Sequence, residues 1–106
     1  MKKYMLSDMF GGWFIGNFEP TIYASKDFEV CLKRYKMGDK EPAHFQNIAT
    51  EFTLVVSGRI RLGDSYFTEN DIIEIEPLEI ADFESLTDSI VIAIKTPSIP
   101  SDKEMA

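Results

Sequence analysis

The stretch GDKEPAHFQNIATEFTLVVSG, from Gly38 to Gly58, contains the single histidine of the chain, His44. Gln46 stands two residues further on and Glu51 five beyond that. On an extended strand, side chains at i and i+2 point to one face, so His44 and Gln46 would share a surface that Glu51 can reach from an adjoining strand. An imidazole nitrogen, a carboxamide oxygen and a carboxylate could hold a divalent ion such as Mn, Fe, Ni or Zn loosely, with water filling the open positions. The set lacks the two histidines of a facial triad, and glutamine is a weak, neutral donor. Without a metal, His44 and Glu51 could work as an acid/base couple or could hydrogen-bond each other in a polar pocket.

Other candidates lie elsewhere. In GGWFIGNFEPT (Gly11 to Thr21), Trp13 beside Asn17 would suit the mouth of a pocket, since a ring next to an amide holds sugars and flat ligands; the same aromatics could equally cap a core or pack on a partner. Arg34 and Tyr35 fall on opposite faces of one run, so only one of them points inward. A buried Arg34 would need a carboxylate, and Glu51 is the candidate. Glu74, Glu76, Glu79, Asp82 and Glu84 form an acidic stretch that reads as a solvated rim. No nucleophile elbow, P-loop or GxGxxG motif is present.

These residues need elements to position them. Short apolar runs alternate with turn signals: Trp13–Phe18, Phe28–Met37, Glu51–Val56, Arg59–Leu62, Tyr66–Phe67, Asp71–Ile75 and Ser89–Lys95. Gly58 and Gly63-Asp64 mark tight connections. This spacing predicts an all-β sandwich or barrel, with helical periodicity weak throughout. Along Glu51–Ser57 the two strand faces are both largely apolar, as expected of a strand covered on both sides. One domain spans residues 1–106: an N-terminal arm (1–12), a core (13–96) and an extended polar tail (97–106) with two prolines.

Composition narrows the partners. A net charge of -7 argues against nucleic acid, and no basic amphipathic or long apolar segment suggests a membrane. The lone Cys31, within an apolar run, reads as a buried inert thiol, and a reducing cytoplasm is the expected compartment.

The spacing Gly38, five residues, His44-x-Gln46, four residues, Glu51, six residues, Gly58 resembles the first conserved motif of the cupin superfamily, with Gln46 in place of its second histidine. The stretch Asn70 to Ala81 resembles the second motif: Asn70 replaces a glycine, Asp71, Ile75 and Pro77 keep the pattern, Leu78 replaces another glycine, and Ala81 takes the place of the fourth metal ligand. Asp82, next to that place, could contribute only if the backbone bulges, and as a base it would need a pKa raised by burial. The resemblance covers roughly Phe28 to Lys95. It implies a cupin-type double-stranded β-helix, or jelly-roll barrel, and a homodimer built on the N-terminal segment and one sheet face. It also implies a small polar ligand, sugar or carboxylate, in the barrel, handled by isomerase, epimerase or lyase-type chemistry or simply bound. A dimeric scaffold with a decayed pocket is the third option.

Overall fold

The computed structural model describes all residues, Met1 to Ala106. Eleven strands follow a single 3-10 turn at Leu6–Asp8: β1 (Trp13–Gly16), β2 (Tyr23–Ala24), β3 (Glu29–Tyr35), β4 (Lys40–Gln46), β5 (Thr50–Ser57), β6 (Arg59–Leu62), β7 (Ser65–Thr68), β8 (Ile72–Ile75), β9 (Ala81–Ser85), β10 (Ser89–Thr96) and β11 (Lys103–Met105). They form two sheets, of order β2-β1-β3-β10-β5-β8 and β11-β4-β9-β6-β7. No helix is long and apolar enough to cross a membrane.

The antiparallel register of β3, β10, β5 and β8 stacks interior side chains into rows. Cys31, Ala93, Thr53 and Ile73 make one row; Lys33, Val91 and Val55 make the next. At the other end Glu29, Lys95, Glu51 and Ile75 lie side by side. Polarity therefore rises in the same direction on neighbouring strands: Val55, Thr53, Glu51 on β5 and Val91, Ala93, Lys95 on β10. The apolar end is the core. Val55, Ile60, Ile73, Phe83 and Val91 are buried together, with Tyr35, Leu62, Phe67 and Ile75 packed around them. Area removed from water here supplies the main drive to close the two sheets.

The outer face of the larger sheet is also apolar. Val30, Ile94 and Phe52 are adjacent across three strands, and Leu32, Ile92, Leu54 and Ile72 across four. Ile72, Ile94 and Val56 are exposed.

Four strands differ from the sequence reading, of which β2 is only the two residues Tyr23–Ala24. Pro42 obscures β4, because it cannot donate to a ladder; it sits where the β4–β9 register shifts between Glu41 and His44, a position that tolerates it. β9 lies inside the stretch read as an acidic rim. Its acids Asp82 and Glu84 alternate with Ala81, Phe83 and Ser85, so three of its five residues face the interior. The tail is not a free end: β11 pairs with β4, and the buried Asp102 carboxylate accepts the backbone N–H groups of Ile48 and Ala49 at 2.9–3.2 Å.

The turns follow their residues more closely. Gly58 has φ 88°, and a Cβ there would stand 2.4 Å from the Asp88 carbonyl oxygen, so only glycine fits. Asn70 adopts φ 75°, as an asparagine in a glycine's place can. Leu78 adopts φ 70°, a left-handed conformation that costs a residue with a Cβ about 1–2 kcal/mol. Its side chain is mostly exposed, so little packing repays that cost. Leu78→Gly should therefore stabilise the fold by about 0.5–1 kcal/mol once the entropy of glycine is subtracted. Urea unfolding measures this; a lower midpoint in the variant would show that the leucine contributes packing that outweighs its strain.

Candidate functional site

Between the apolar core and the charged row the two sheets enclose a cavity of about 70 Å³, with Ile60, Leu62, Phe83 and Val91 along its inner wall. A water molecule needs about 10–15 Å³ on this measure, so the space suits several waters or a small polar group. Trp13, Tyr35, His44, Gln46 and Glu51 all line it. Five of the residues singled out in the sequence thus meet in one place. Ala81 lines it too and is the direct register partner of His44, which leaves open space beside the imidazole.

Each polar side chain is held by a neighbour. His44 Nδ1 lies 3.0 Å from the Pro42 carbonyl oxygen. A carbonyl only accepts, so Nδ1 carries a proton, and when the ring holds one proton Nε2 is the acceptor. Glu51 Oε2 accepts the Thr53 hydroxyl at 3.0 Å, and Glu51 Oε1 stands 4.0 Å from the ammonium of Lys95. The expected hydrogen bond between His44 and Glu51 gives way to these separate partners. Tyr35 donates its hydroxyl to Glu41 Oε2 at 3.1 Å, and the Lys33 ammonium lies 3.8 Å from the same oxygen. Both ammonium groups also approach the indole of Trp13, Lys95 at 5.0 Å from the ring centroid and Lys33 at 5.7 Å. These distances lie within the range of cation–π attraction.

Three sequence candidates are placed elsewhere. Asp82 follows the strand alternation to the outer face of β9, where Arg61 grips both its oxygens at 3.0 and 3.1 Å. That guanidinium holds the Asp82 carboxyl below the usual carboxylate range, the reverse of what a base at pH 7 would need. Arg34 is exposed on the outer face of β3, and its inward neighbours Lys33 and Tyr35 reach the cavity instead. Asn17 lines a second cavity of about 160 Å³ that shares Gln46, Lys95 and Lys103 with the first.

The residues that sequence reasoning missed are Lys33, Glu41, Thr53 and Lys95. Lysines on strands usually read as surface charge. The available signal was parity: Lys95 lies two and four residues from Ala93 and Val91, on one face of a β-branched run. Burial shapes this interior. It pushes the Cys31 thiol up to about 11, so the thiol stays protonated, in agreement with the expected inert cysteine. It also raises Tyr35, assisted by the negative charge of Glu41, so the phenol remains a donor.

The donor set does not fit a resident metal ion. Of the expected His44, Gln46 and Glu51, only His44 and Glu51 are strong donors, and no cluster of three His, Cys, Asp or Glu side chains is formed. Ala81 cannot contribute, and an ammonium already stands beside Glu51.

No family model matches the sequence, and no curated protein does either. Solved structures do. A conserved protein with a double-stranded β-helix domain from Klebsiella pneumoniae superposes with a TM-score of 0.71 at 16% identity, covering 77% of this chain and 72% of that one. An RmlC-like cupin from Desulfovibrio desulfuricans gives 0.63 at 20% identity, covering 71% and 76%. The chain has the cupin fold, a double-stranded β-helix. KdgF from Halomonas sp. is similar as well, with a TM-score of 0.63 at 18% identity over 71% of this chain and 74% of its own.

Glu29 supplies a test of the interior electrostatics. Burial is the main cause raising its pKa above the usual 4.5, and the nearby Lys95 only partly offsets it. A raised carboxylate pKa means the folded state holds the proton more tightly, so stability falls as pH climbs from 4.5 through the folded value. Glu29→Gln keeps an oxygen for the Ser98 hydroxyl and removes the charge. The variant should melt higher than the parent at pH 7, with the difference vanishing near pH 4, read by circular dichroism. A variant that melts lower at pH 7 would show that attraction to Lys95 outweighs burial.

Proposed function

We propose that the barrel binds a small polar ligand of sugar or carboxylate type in the interior cavity. One observation carries this reading: donors and acceptors of both signs converge on one enclosed space beside an indole. A hydroxyl-bearing ligand can donate to Glu41 or Glu51 and accept from Lys33 or Lys95, while Trp13 covers an apolar edge. His44, with Nε2 free as an acceptor, supports acid/base chemistry of the isomerase, epimerase or lyase kind on such a ligand. Cupin-fold neighbours include a sugar phosphate isomerase and a DMSP lyase, both at low identity. The proposed compartment is the cytoplasm, which a single buried cysteine permits.

Trp13 is the single tryptophan of the chain and lines the cavity, so its fluorescence reports occupancy. Sugars, sugar acids and small mono- and dicarboxylates at millimolar concentration are the probes. At least one class should change the emission and raise Tm of the parent, whereas Ala81→Phe, which fills the space beside His44, should respond at least tenfold more weakly. Equal responses in the two proteins, or none in the parent, would refute the pocket.

The second part of the reading is a homodimer through the outer face of the larger sheet. Ile92 and Leu54 sit at its centre, and Arg34 and Glu74 lie toward its edges. An apolar face of this kind needs a cover, and a second copy offers the same apolar face in return. Sedimentation at micromolar concentration should give a dimer for the parent and a folded monomer for Ile92→Glu. A parent that sediments as a monomer removes the dimer.

A further inference from the structure

We propose that Lys95 takes the place of a metal ion as the fixed cation of the pocket: it neutralises Glu51, keeps divalent ions out, and offers its free N–H donors to the ligand. The placement is set by the sheet and not by a loop. Lys95 on β10 is the register partner of Glu51 on β5 and of Glu29 on β3, so the ammonium stem rises between two acids. Side-chain exposure is 12% for Lys95 and 17% for Glu51, so the two charges face each other largely out of water. Screening by solvent is weak in such a site, and a unit positive charge there is felt strongly by any second cation.

A divalent ion held by His44, Gln46 and Glu51 would have to share Glu51 with this ammonium. The remaining charges do not relieve the conflict. Lys33 brings a second ammonium to the same indole, and its own carboxylate, Glu41, is also bonded to Tyr35. Where cupin spacing calls for further histidines the chain has Gln46 and Ala81, so the losses of donors and the gain of a cation point the same way. The 4.0 Å separation of Lys95 from Glu51 is longer than a charge-assisted hydrogen bond of about 2.7–2.9 Å. An ammonium has three N–H donors, and they remain available for a carboxylate or carbonyl oxygen entering the cavity.

The part of this proposal that concerns the ligand rests on the pocket reading above; the exclusion of metal does not, and its test uses metal alone. Tag-free protein is titrated with Mn²⁺, Ni²⁺ and Zn²⁺ by calorimetry and thermal shift. The Gln46→His variant restores a second imidazole, and the comparison is between it and Gln46→His/Lys95→Met. Removing the ammonium should tighten binding at least tenfold, while Gln46→His/Lys95→Arg, which keeps the charge, should bind as weakly as Gln46→His. Equal affinities for the Met and Lys forms would overturn the proposal. The parent provides an arm that needs no variant: one equivalent of metal retained through gel filtration would overturn it too. Should ligand screening fail while the metal titrations come out as expected, the pocket reading falls and the exclusion of metal stands.

Discussion

The interior of this protein is organised by one constraint, the register of β10 between β3 and β5. It lays Lys95 between Glu29 and Glu51 at one end of the sheet and Val91 beside Val55 toward the other. A charged row can be tolerated inside a barrel only if its members compensate each other, because an isolated buried charge is too costly. The apolar end supplies the closing energy, and the polar end spends part of it to hold donors and acceptors in fixed places. The cavity lies between that row and the core, with His44 and Ala81 on the opposing sheet and Ile60, Phe83 and Val91 along its inner wall.

The second sheet is built to complete this arrangement. β4 crosses it between β9 and β11, and its register shift at Pro42 precedes His44. The same proline offers the carbonyl that orients the imidazole. β11 then flanks β4, and the Asp102 carboxylate ties the tail to the backbone at Ile48 and Ala49. The chain terminus is thus part of the wall of the site, and Lys103 lines the cavity.

Sequence spacing was enough to assign the fold and half of the site. Strands such as Arg59–Leu62 and Ser89–Thr96 carry their own signal, the first by apolar alternation between Gly58 and Gly63 and the second by its β-branched run. Gly58 and Asn70 announce backbone conformations that most side chains resist. β4 and β9 were hidden for physical reasons: a proline within one and alternating acids in the other both imitate loop. Strand parity sends Asp82 and Arg34 outward: no bulge brings Asp82 into the cavity, and of Arg34 and Tyr35 it is Tyr35 that faces inward. Lys33 and Lys95 were missed because their burial depends on compensation by acids on other strands: Glu51 is the register partner of Lys95 on the adjacent strand, and Glu41 reaches Lys33 from the opposing sheet.

Leu78 and Ala81 show how such a site departs from its pattern. The backbone at Leu78 keeps the left-handed conformation that glycine would take freely, and its N–H is bonded to the Gln46 carbonyl at 2.8 Å. The turn is therefore held by its partners across the cavity edge, even with an unfavourable residue in it. At Ala81 the strand position beside His44 is kept in register, and its side chain has no donor atom. Backbone geometry is over-determined by many ladder bonds, whereas a ligand set fails with the loss of one or two donors. A barrel fold can therefore hold different donor sets, and in this chain the ammonium groups of Lys33 and Lys95, paired with Glu41 and Glu51, stand at the indole.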